Sequence, residues 1–313
     1  MSIMLLSICI PTTNGRADVL NETLKSILES NIGSENNLLE VVVSDNSSGD
    51  EIFNVIRSYL TLDINIHYHR SDEKTFYNLI QALKLAKGDF IKLHNDYSNF
   101  NKGELLSLIK FVEDHKKNKE QVLFTNGNLA FTGIRHFSTF NDFIRASSYW
   151  NTWASGFSMW RDDFERMDIG KDKLDANFPH VSLLFSNTQK AGFVINNNHV
   201  FSGQKVKGKG GYNIFKLFCI DYPDMLMSLV KSGVITQKTY RSILVDMRNH
   251  FIPMWLSVSV YSRNGFTFDN DDYDRSIRNI YSGFDLFLIK CNAYMRTIFR
   301  WLRGLYPKSI RLE

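Results

Sequence analysis

The chain has 313 residues, of which 43% are hydrophobic and 22% are charged, a composition that allows a sizeable buried core and excludes global disorder. Its net charge of +4 is too small for a protein whose whole surface binds nucleic acid, so no nucleic-acid partner is expected. The three cysteines, Cys9, Cys219 and Cys291, show neither the spacing of a metal site nor a disulfide framework, which favours a reducing compartment.

Hydrophobic periodicity predicts alternating strands and helices from the N-terminus to residue 125. The predicted strands are residues 3–10, 39–44, 64–69, 90–93 and 121–125, and the predicted helices between them are residues 18–30, 51–60, 74–86 and 103–115. Because the two kinds of element alternate with short connections, we expect an α/β fold with a Rossmann-like, mostly parallel sheet flanked by helices. In such sheets, ligands bind beyond the carboxyl ends of the strands.

The rest of the chain has a different pattern. Residues 202–211 are rich in Gly and Lys, which predicts a mobile loop, and residues 214–231, 236–262 and 272–303 are predicted helices. We therefore predict an α/β domain over residues 1–205 and a helical C-terminal region over residues 206–313. The apolar run at the N-terminus ends at Pro11, too early for a membrane span or a signal peptide, so a cytoplasmic protein is expected.

Polar residues follow four of the predicted strands. The segments are Pro11-Thr12-Thr13-Asn14, Asp45-Asn46-Ser47-Ser48, Arg70-Ser71-Asp72 and His94-Asn95-Asp96. Turn formation explains some of the Asn, Asp and Ser residues, but it does not require an Asp after the second strand and another after the fourth. Since these strand ends converge in the predicted topology, we expect Asp45 and Asp96 to lie in one crevice.

Three stretches, LSICIPTTNGRADVLNETLKSIL, EVVVSDNSSGD and FYNLIQALKLAKGDFIKLHNDYS, resemble the ordered motifs of family 2 glycosyltransferases with the GT-A fold. The resemblance covers roughly the first third of the chain and is strongest to bacterial enzymes of O-antigen or capsule synthesis. It implies an inverting hexosyltransferase-type enzyme that moves a sugar from a nucleotide-diphosphate donor, with a UDP-sugar favoured. The acceptor would be a glycan or a lipid-linked sugar in surface polysaccharide or lipopolysaccharide synthesis.

The resemblance also implies roles for donor-binding residues. Asp45 would accept hydrogen bonds from the base or ribose, supported by Ser47, and Asn78 would lie near the sugar nucleotide. Thr13 stands where the family often has an aromatic residue, so one stacking contact is lost. The complete set expected at the donor site is Pro11, Thr12, Thr13, Asn14, Asp45, Ser47, Asp72, Asn78, His94, Asn95, Asp96, Lys205 and Lys207.

The acidic motif after the fourth strand departs from the family pattern. Family members carry two or three acidic residues there, which hold Mg²⁺ or Mn²⁺ against the diphosphate. Here Asp96 is a single carboxylate, with His94 or Asn95 in support. Asp96 binds the ion, or the protein works without metal, or activity has been lost. In a metal-poor site, Lys205 and Lys207 on the Gly-rich loop would neutralise the diphosphate, unless that loop is only a solvated linker.

The acceptor side and the catalytic base are predicted from the second half of the domain. WASGFSMWRDDFERM resembles the acceptor segment of the family, which implies that Trp153, Ser155 and Gly156 line the acceptor site, although Trp153 equally suits core packing. Where the family has its acidic pair, this chain has His180-Val181. His180 is therefore the candidate base, and Asp175 is its rival.

The C-terminal tail combines basic and apolar residues. Residues 290–311 contain no Asp or Glu and carry six basic residues, Lys290, Arg296, Arg300, Arg303, Lys308 and Arg311. A basic amphipathic helix of this kind can lie in the membrane interface, which would place a peripheral enzyme at the inner face of the membrane. The alternatives are that the helix packs on the domain or forms a homodimer contact.

A catalytically inactive nucleotide-binding or scaffold protein with this fold is the alternative function. A dehydrogenase is disfavoured because no G-x-G-x-x-G follows the first strand.

Overall fold

The computed structural model describes residues 4–30, 33–206, 209–262 and 265–305, which form two compact units, Met1–Lys205 and Val206–Glu313. The elements of the first unit are β1 (Leu6–Thr12), α1 (Ala17–Glu29), a 3-10 helix (Gly33–Leu38), β2 (Leu39–Asp45), α2 (Glu51–Tyr59), β3 (Ile66–Arg70), α3 (Asn78–Leu85), β4 (Phe90–Leu93), β5 (Ser98–Phe100), α4 (Glu104–His115), β6 (Gln121–Phe124), β7 (Ile134–Phe137), α5 (Phe140–Ser147), 3-10 helices (Ser148–Thr152 and Ala154–Gly156), β8 (Ser158–Trp160), α6 (Arg161–Phe164), α7 (Pro179–Ser186), β9 (Phe193–Asn196) and β10 (Phe201–Gly203).

The predicted α/β fold with a mainly parallel sheet is confirmed. A five-stranded sheet has the order β3-β2-β1-β4-β8, in which the first four strands are parallel and β8 is antiparallel. Every residue of β2 is buried, as expected for a strand covered on both faces by helices. The sheet order therefore places β1 between β2 and β4, and their carboxyl ends lie along one edge.

The predicted fifth strand does not extend this sheet. β8 occupies the free edge of β4, and β6 instead belongs to a three-stranded sheet of order β6-β9-β7. The side chains of Gln121 and Ser158 join the two sheets: Gln121 Nε2 donates to the Ser158 carbonyl at 2.7 Å, and Ser158 Oγ donates to the Val122 carbonyl at 2.9 Å. These two buried polar side chains satisfy backbone groups where regular pairing stops.

Two local predictions need correction. The predicted helix 74–86 begins only at Asn78, because the side chains of Glu73 and Thr75 bind the backbone N–H groups of Thr75 and Tyr77 and replace a first helical turn. The predicted mobile loop 202–211 begins as a strand, since Phe201–Gly203 pairs with β5. The first residues of the predicted loop are therefore held against β5 by strand pairing.

The second unit is helical. Its elements are α8 (Ile214–Lys216), α9 (Tyr222–Lys231), α10 (Gln237–Asp246), α11 (Ile252–Trp255), α12 (Tyr273–Arg278) and α13 (Gly283–Leu305), with wide π-helical turns at Leu217–Asp221, Met247–Phe251 and Leu256–Tyr261. Pro223 and Pro253 follow the first two of these turns and disrupt the regular hydrogen-bond ladder, because proline lacks an N–H. The predicted helix 272–303 is two helices, separated before Gly283, which has a left-handed φ of 51°. Within the described part of the chain, no helix combines the length and the apolar character needed to cross a bilayer.

Candidate functional site

The carboxyl ends of β1, β2 and β4 lie side by side at the edge of the sheet where the topology predicts a crevice. Thr12 and Asp45 are register partners at the ends of β1 and β2. Thr12 Oγ1 donates a hydrogen bond of 2.7 Å to Asp96 Oδ2, in the loop after β4. The Thr12, Asp45 and Asp96 side chains are all buried, at 3%, 0% and 5% exposure. Three of the predicted donor residues therefore meet at one edge of the sheet.

Asp45 organises the turn between β2 and α2. Its carboxylate accepts a hydrogen bond of 2.8 Å from Ser47 N and one of 2.7 Å from the Tyr68 hydroxyl, and Arg70 Nε lies 3.4 Å away. Burial, together with the neighbouring Asp45 carboxylate, raises the pKa of Tyr68 to about 12, so the phenol remains a proton donor. Asp45 thus has the Asx-turn contact that its sequence context allows, and two further partners from β3.

Tyr68 and Arg70 are site residues that the sequence alone did not single out as ligands. Arg70 Nη1 donates to the carbonyl of Gly49 at 2.7 Å, and Arg70 Nη2 lies 3.0 Å from Asp50 Oδ1. The turn that would face a nucleotide is therefore built around one arginine. The available signal was the position of Arg70 at the end of a strand beside an Asp-rich turn.

Asn78 and Asn14 hold neighbouring segments of the crevice together. Asn78, which is buried, donates from Nδ2 to the Ser44 carbonyl at 2.9 Å and accepts from Ser44 Oγ at 2.8 Å. Asn14 Oδ1 accepts from Ser48 N at 2.9 Å, which connects the β1–α1 turn to the β2–α2 turn. Pro11 is half-buried, and Thr13 and Asp72 are exposed at the same strand ends.

His94 lies apart from the polar crevice. Its Nε2 is 2.7 Å from the Ser98 carbonyl, and its ring stacks on Phe100 with 4.7 Å between centroids. Burial lowers the pKa of His94 to about 3, so the ring is neutral. This position gives no support to the expected role of His94 beside a metal ion. Asn95, in contrast, is half-buried next to Asp96, and its backbone N–H donates to Ser155 Oγ at 2.8 Å.

Asp96 and Asn95 offer oxygen ligands of the kind that Mg²⁺ and Mn²⁺ prefer. Mg²⁺ sites commonly use one or two protein carboxylates and take their other ligands from water and substrate phosphates, so a single carboxylate is sufficient. The Thr12 hydroxyl fixes one Asp96 oxygen in position. The residues present therefore fit a divalent ion that is shared with a diphosphate.

The loop after β4 is held by residues that sequence reasoning missed. The Arg16 guanidinium lies over the Tyr97 ring, 5.7 Å from its centroid. Gln204 N donates to the Tyr97 carbonyl at 2.8 Å, and Gln204 Nε2 donates to Asn99 Oδ1 at 2.8 Å. Lys205 follows Gln204 directly and is exposed, so its charge lies near this edge of the sheet. Lys207 lies outside the described residues.

The predicted acceptor segment is fastened to the same loop. The Lys92 ammonium is fully buried and donates to the Ser155 carbonyl at 2.6 Å, while Ser155 Oγ binds the backbone of Asn95. Burial lowers the pKa of Lys92 to about 7. Gly156 is required by packing, because a Cβ there would come within 2.4 Å of the Phe124 carbonyl oxygen. Trp153 is half-buried and contacts Phe201, with 5.6 Å between ring centroids.

His180 and Asp175 lie at the beginning of α7. His180 Nε2 lies 2.9 Å from the Thr152 carbonyl, and burial lowers the pKa of the imidazole to about 4. Because a carbonyl only accepts, Nε2 carries the proton and Nδ1 has the lone pair; Nδ1 is buried without a hydrogen-bond partner among the described residues. Asp175 Oδ1 accepts from Asn177 N at 2.9 Å and from Phe178 N at 2.8 Å, so it stabilises the entry to α7.

Comparison with known proteins identifies a family and a fold. A profile described as Glycosyl transferase family 2 matches residues 7–184, which are 178 of the 313 residues. The structure of S. aureus TarS 1–349 in complex with UDP-GlcNAc is similar, with a TM-score of 0.60 and 14% identity over 99% of this chain and 94% of that chain. TarS 1–349 in complex with UDP gives a TM-score of 0.54 and 15% identity over 99% of this chain and 94% of that chain. No curated protein matches the chain in sequence.

Proposed function

Because the chain belongs to glycosyl transferase family 2, as its motifs predicted, we propose that it is an inverting transferase that uses a nucleotide-diphosphate sugar. The observation that carries the proposal is the junction of Thr12 with Asp96 beside Asp45 at the carboxyl edge of the parallel sheet. A UDP-sugar is the donor to test first, since the TarS structure of similar fold contains UDP-GlcNAc.

Two parts of the crevice would bind the donor, one the nucleoside and the other the diphosphate. The turn of Asp45, ordered by Tyr68 and Arg70, supplies backbone and hydroxyl groups for the nucleoside. Asp96, with Asn95, would hold Mg²⁺ or Mn²⁺, which when bound neutralises charge on the departing diphosphate. Lys205 adds an exposed positive charge at the same edge.

The acceptor hydroxyl must lose a proton as its oxygen attacks the anomeric carbon and the nucleoside diphosphate leaves. We propose that His180 Nδ1 accepts this proton. Nδ1 is buried, and it carries no proton at neutral pH because burial lowers the imidazole pKa to about 4. Asp175 is the rival base. Its backbone contacts at the entry to α7 favour a structural role for this carboxylate.

Donor hydrolysis and transfer with a panel of nucleotide sugars, with and without Mn²⁺, test this function. We expect turnover with one donor class, lost in Asp96→Asn and retained in Asp114→Asn, which changes an exposed carboxylate of α4. If no nucleotide or nucleotide sugar shifts the melting temperature, the donor site is disproved. Nucleotide binding with no turnover, and unchanged cellular glycan in Asp96→Ala and His180→Ala, would instead establish the inactive scaffold.

The acceptor is proposed to be a lipid-linked sugar of surface polysaccharide synthesis, reached at the inner face of the membrane. Exposed apolar side chains follow helical spacing along α13: Phe284, Phe287, Tyr294, Met295, Ile298, Phe299, Trp301 and Leu302. Arg303 is exposed on the same helix, whereas Arg300 Nη1 donates to Ser257 Oγ at 2.9 Å. Lys308 and Arg311 lie outside the described residues. Apolar groups beside basic ones bind anionic membrane surfaces.

Co-sedimentation with vesicles that contain phosphatidylglycerol tests the membrane contact. We expect binding that falls in a Phe287→Ser/Trp301→Ser double variant and persists in Val245→Ser, which changes an exposed apolar residue of α10. A wild-type protein that stays in the supernatant and elutes as a dimer, with the double variant monomeric, would assign this face to a homodimer.

A further inference from the structure

Two histidines and a glutamate converge around the β6-β9-β7 sheet. His115 is the last residue of α4, Glu120 directly precedes β6, and His136 lies in β7. The backbone of Glu120 is held in place, because its carbonyl accepts a hydrogen bond of 2.8 Å from Trp160 Nε1. None of these residues belongs to β1, to β2 or to the loop after β4, which carry Thr12, Asp45 and Asp96.

The three side chains face one another at distances suited to a shared ion. His136 Nδ1 is 3.1 Å from Glu120 Oε1, and His115 Nε2 is 3.8 Å from Glu120 Oε2. One ligand atom from each residue lies within 4.8 Å of the others. Ligands at 2.0–2.2 Å from a tetrahedral Zn²⁺ are about 3.4 Å from each other, so small side-chain rotations would bring all three onto one ion.

The tautomer of His115 is already the one that a metal requires. His115 Nδ1 is 2.8 Å from the Phe111 carbonyl, and since a carbonyl only accepts, Nδ1 carries the proton. The lone pair therefore lies on Nε2, the atom that faces Glu120. A backbone carbonyl that binds the second nitrogen of a ligating histidine is the usual outer support of such sites.

We propose that His115, Glu120 and His136 form a binding site for a divalent transition-metal ion of the Zn²⁺ class, separate from the donor site. Two imidazoles and one carboxylate select Zn²⁺, Co²⁺ or Ni²⁺ over the oxygen-seeking Mg²⁺. The His136 side chain is 59% exposed, so the ion keeps a position for water. Bound metal would join the edge strand β7 to the end of α4 and the start of β6, and so stabilise that sheet.

Calorimetric titration of metal-stripped protein with ZnCl₂, without nucleotide, tests the site. We expect one equivalent to bind, with affinity reduced about tenfold or more in His136→Ala. His136 is exposed, so this change should not impair folding, which circular dichroism checks. His67→Ala is the matched control, because His67 Nε2 also faces a glutamate, Glu40 Oε2, at 3.1 Å. Asp96→Asn controls for the donor site, and both controls should retain zinc binding.

Visible absorption of the Co²⁺ form gives a second readout. A tetrahedral site should give Co²⁺ bands in the wild type and in His67→Ala that disappear in His136→Ala and in Glu120→Gln. Zinc binding to His136→Ala with wild-type affinity, or loss of zinc binding in Asp96→Asn, would overturn the proposal. These experiments measure zinc and cobalt binding without nucleotide, so a failure of this proposal is distinguishable from a failure of the transferase function, which nucleotide binding and turnover test.

Discussion

Thr12 Oγ1 donates a hydrogen bond of 2.7 Å to Asp96 Oδ2 and thereby joins the end of β1 to the loop that follows β4. The two residues are 84 positions apart in sequence. A donated hydrogen bond fixes the direction of a carboxylate. The Asp96 carboxylate is thus oriented before any ligand arrives, as a preorganised metal or phosphate site requires.

Thr12→Val removes this hydrogen bond with little change in volume. We expect weaker Mn²⁺-dependent binding of UDP or of the preferred nucleotide, by about tenfold or more, since a hydrogen bond to a charged group contributes about 1.5–3 kcal/mol. Isothermal titration with and without Mn²⁺ measures the effect. Thr61→Val, at an exposed position after α2, should bind as the wild type does; equal losses in both variants would refute the orienting role of Thr12.

Asp45→Ala should lower the free energy of unfolding, by about 2–4 kcal/mol, because Ser47 N and the Tyr68 hydroxyl both lose their acceptor. Urea denaturation followed by circular dichroism measures this loss. Asp72→Ala changes an exposed carboxylate and should cost about 0.5 kcal/mol or less. A fully stable Asp45→Ala protein would mean that Asp45 serves the ligand alone.

Lys92 should make stability depend on pH. Burial lowers its pKa from 10.5 to about 7, so between these values the unfolded chain binds more protons than the folded one, and stability rises with pH. We expect the free energy of unfolding of the wild type to rise by about 2 kcal/mol from pH 7 to pH 9 relative to Lys92→Met.

Both proteins keep Cys9 and Cys219, whose thiol pKa values burial raises, so the difference between the two curves isolates Lys92. Lys110→Met, on the exposed face of α4, should follow the wild-type curve. Parallel curves for the wild type and Lys92→Met would show that the ammonium does not titrate in this range.

The pH profile of transfer identifies the base. Because burial lowers the pKa of His180 to about 4, kcat/KM should hold from pH 7 down to pH 5 instead of falling near the 6.5 of an ordinary histidine. His180→Ala should abolish transfer and leave nucleotide affinity unchanged, while Asp175→Asn should keep most of the activity. Full activity of His180→Ala with loss in Asp175→Asn would reassign the base to Asp175.

Of the four parallel strands, β1, β2 and β4 were predictable because each is a short, buried, mostly apolar run between helical patterns, whereas β3 is a half-buried strand that was predicted from its alternation. The identities of Thr12, Asp45 and Asp96 followed from their positions after those strands. The direction of the His94 side chain did not follow, because His94 and Asp96 both lie in the loop after β4, where the regular alternation of faces along the strand has ended. His94 therefore faces Phe100 and the core, while Asp96 faces Thr12.

Other parts of the site depend on contacts that no local pattern encodes. Gln204 meets Tyr97 across more than a hundred residues, and Arg70 reaches the turn of Asp45 from another strand. β7 is four residues long, with its first three exposed, so it lacks the alternation that marks a strand. His136 was consequently not recognised as a neighbour of His115 and Glu120.

The central claim is that Asp96 and its surroundings form a metal-assisted nucleotide-sugar site. Titration of the wild type and Asp96→Asn with UDP-sugars and UDP, each with and without Mn²⁺, tests it most directly. We predict saturable binding of one nucleotide per chain that Mn²⁺ strengthens in the wild type and not in Asp96→Asn. Equal strengthening by Mn²⁺ in both proteins, or no binding by any nucleotide sugar in an extended panel, would contradict the claim.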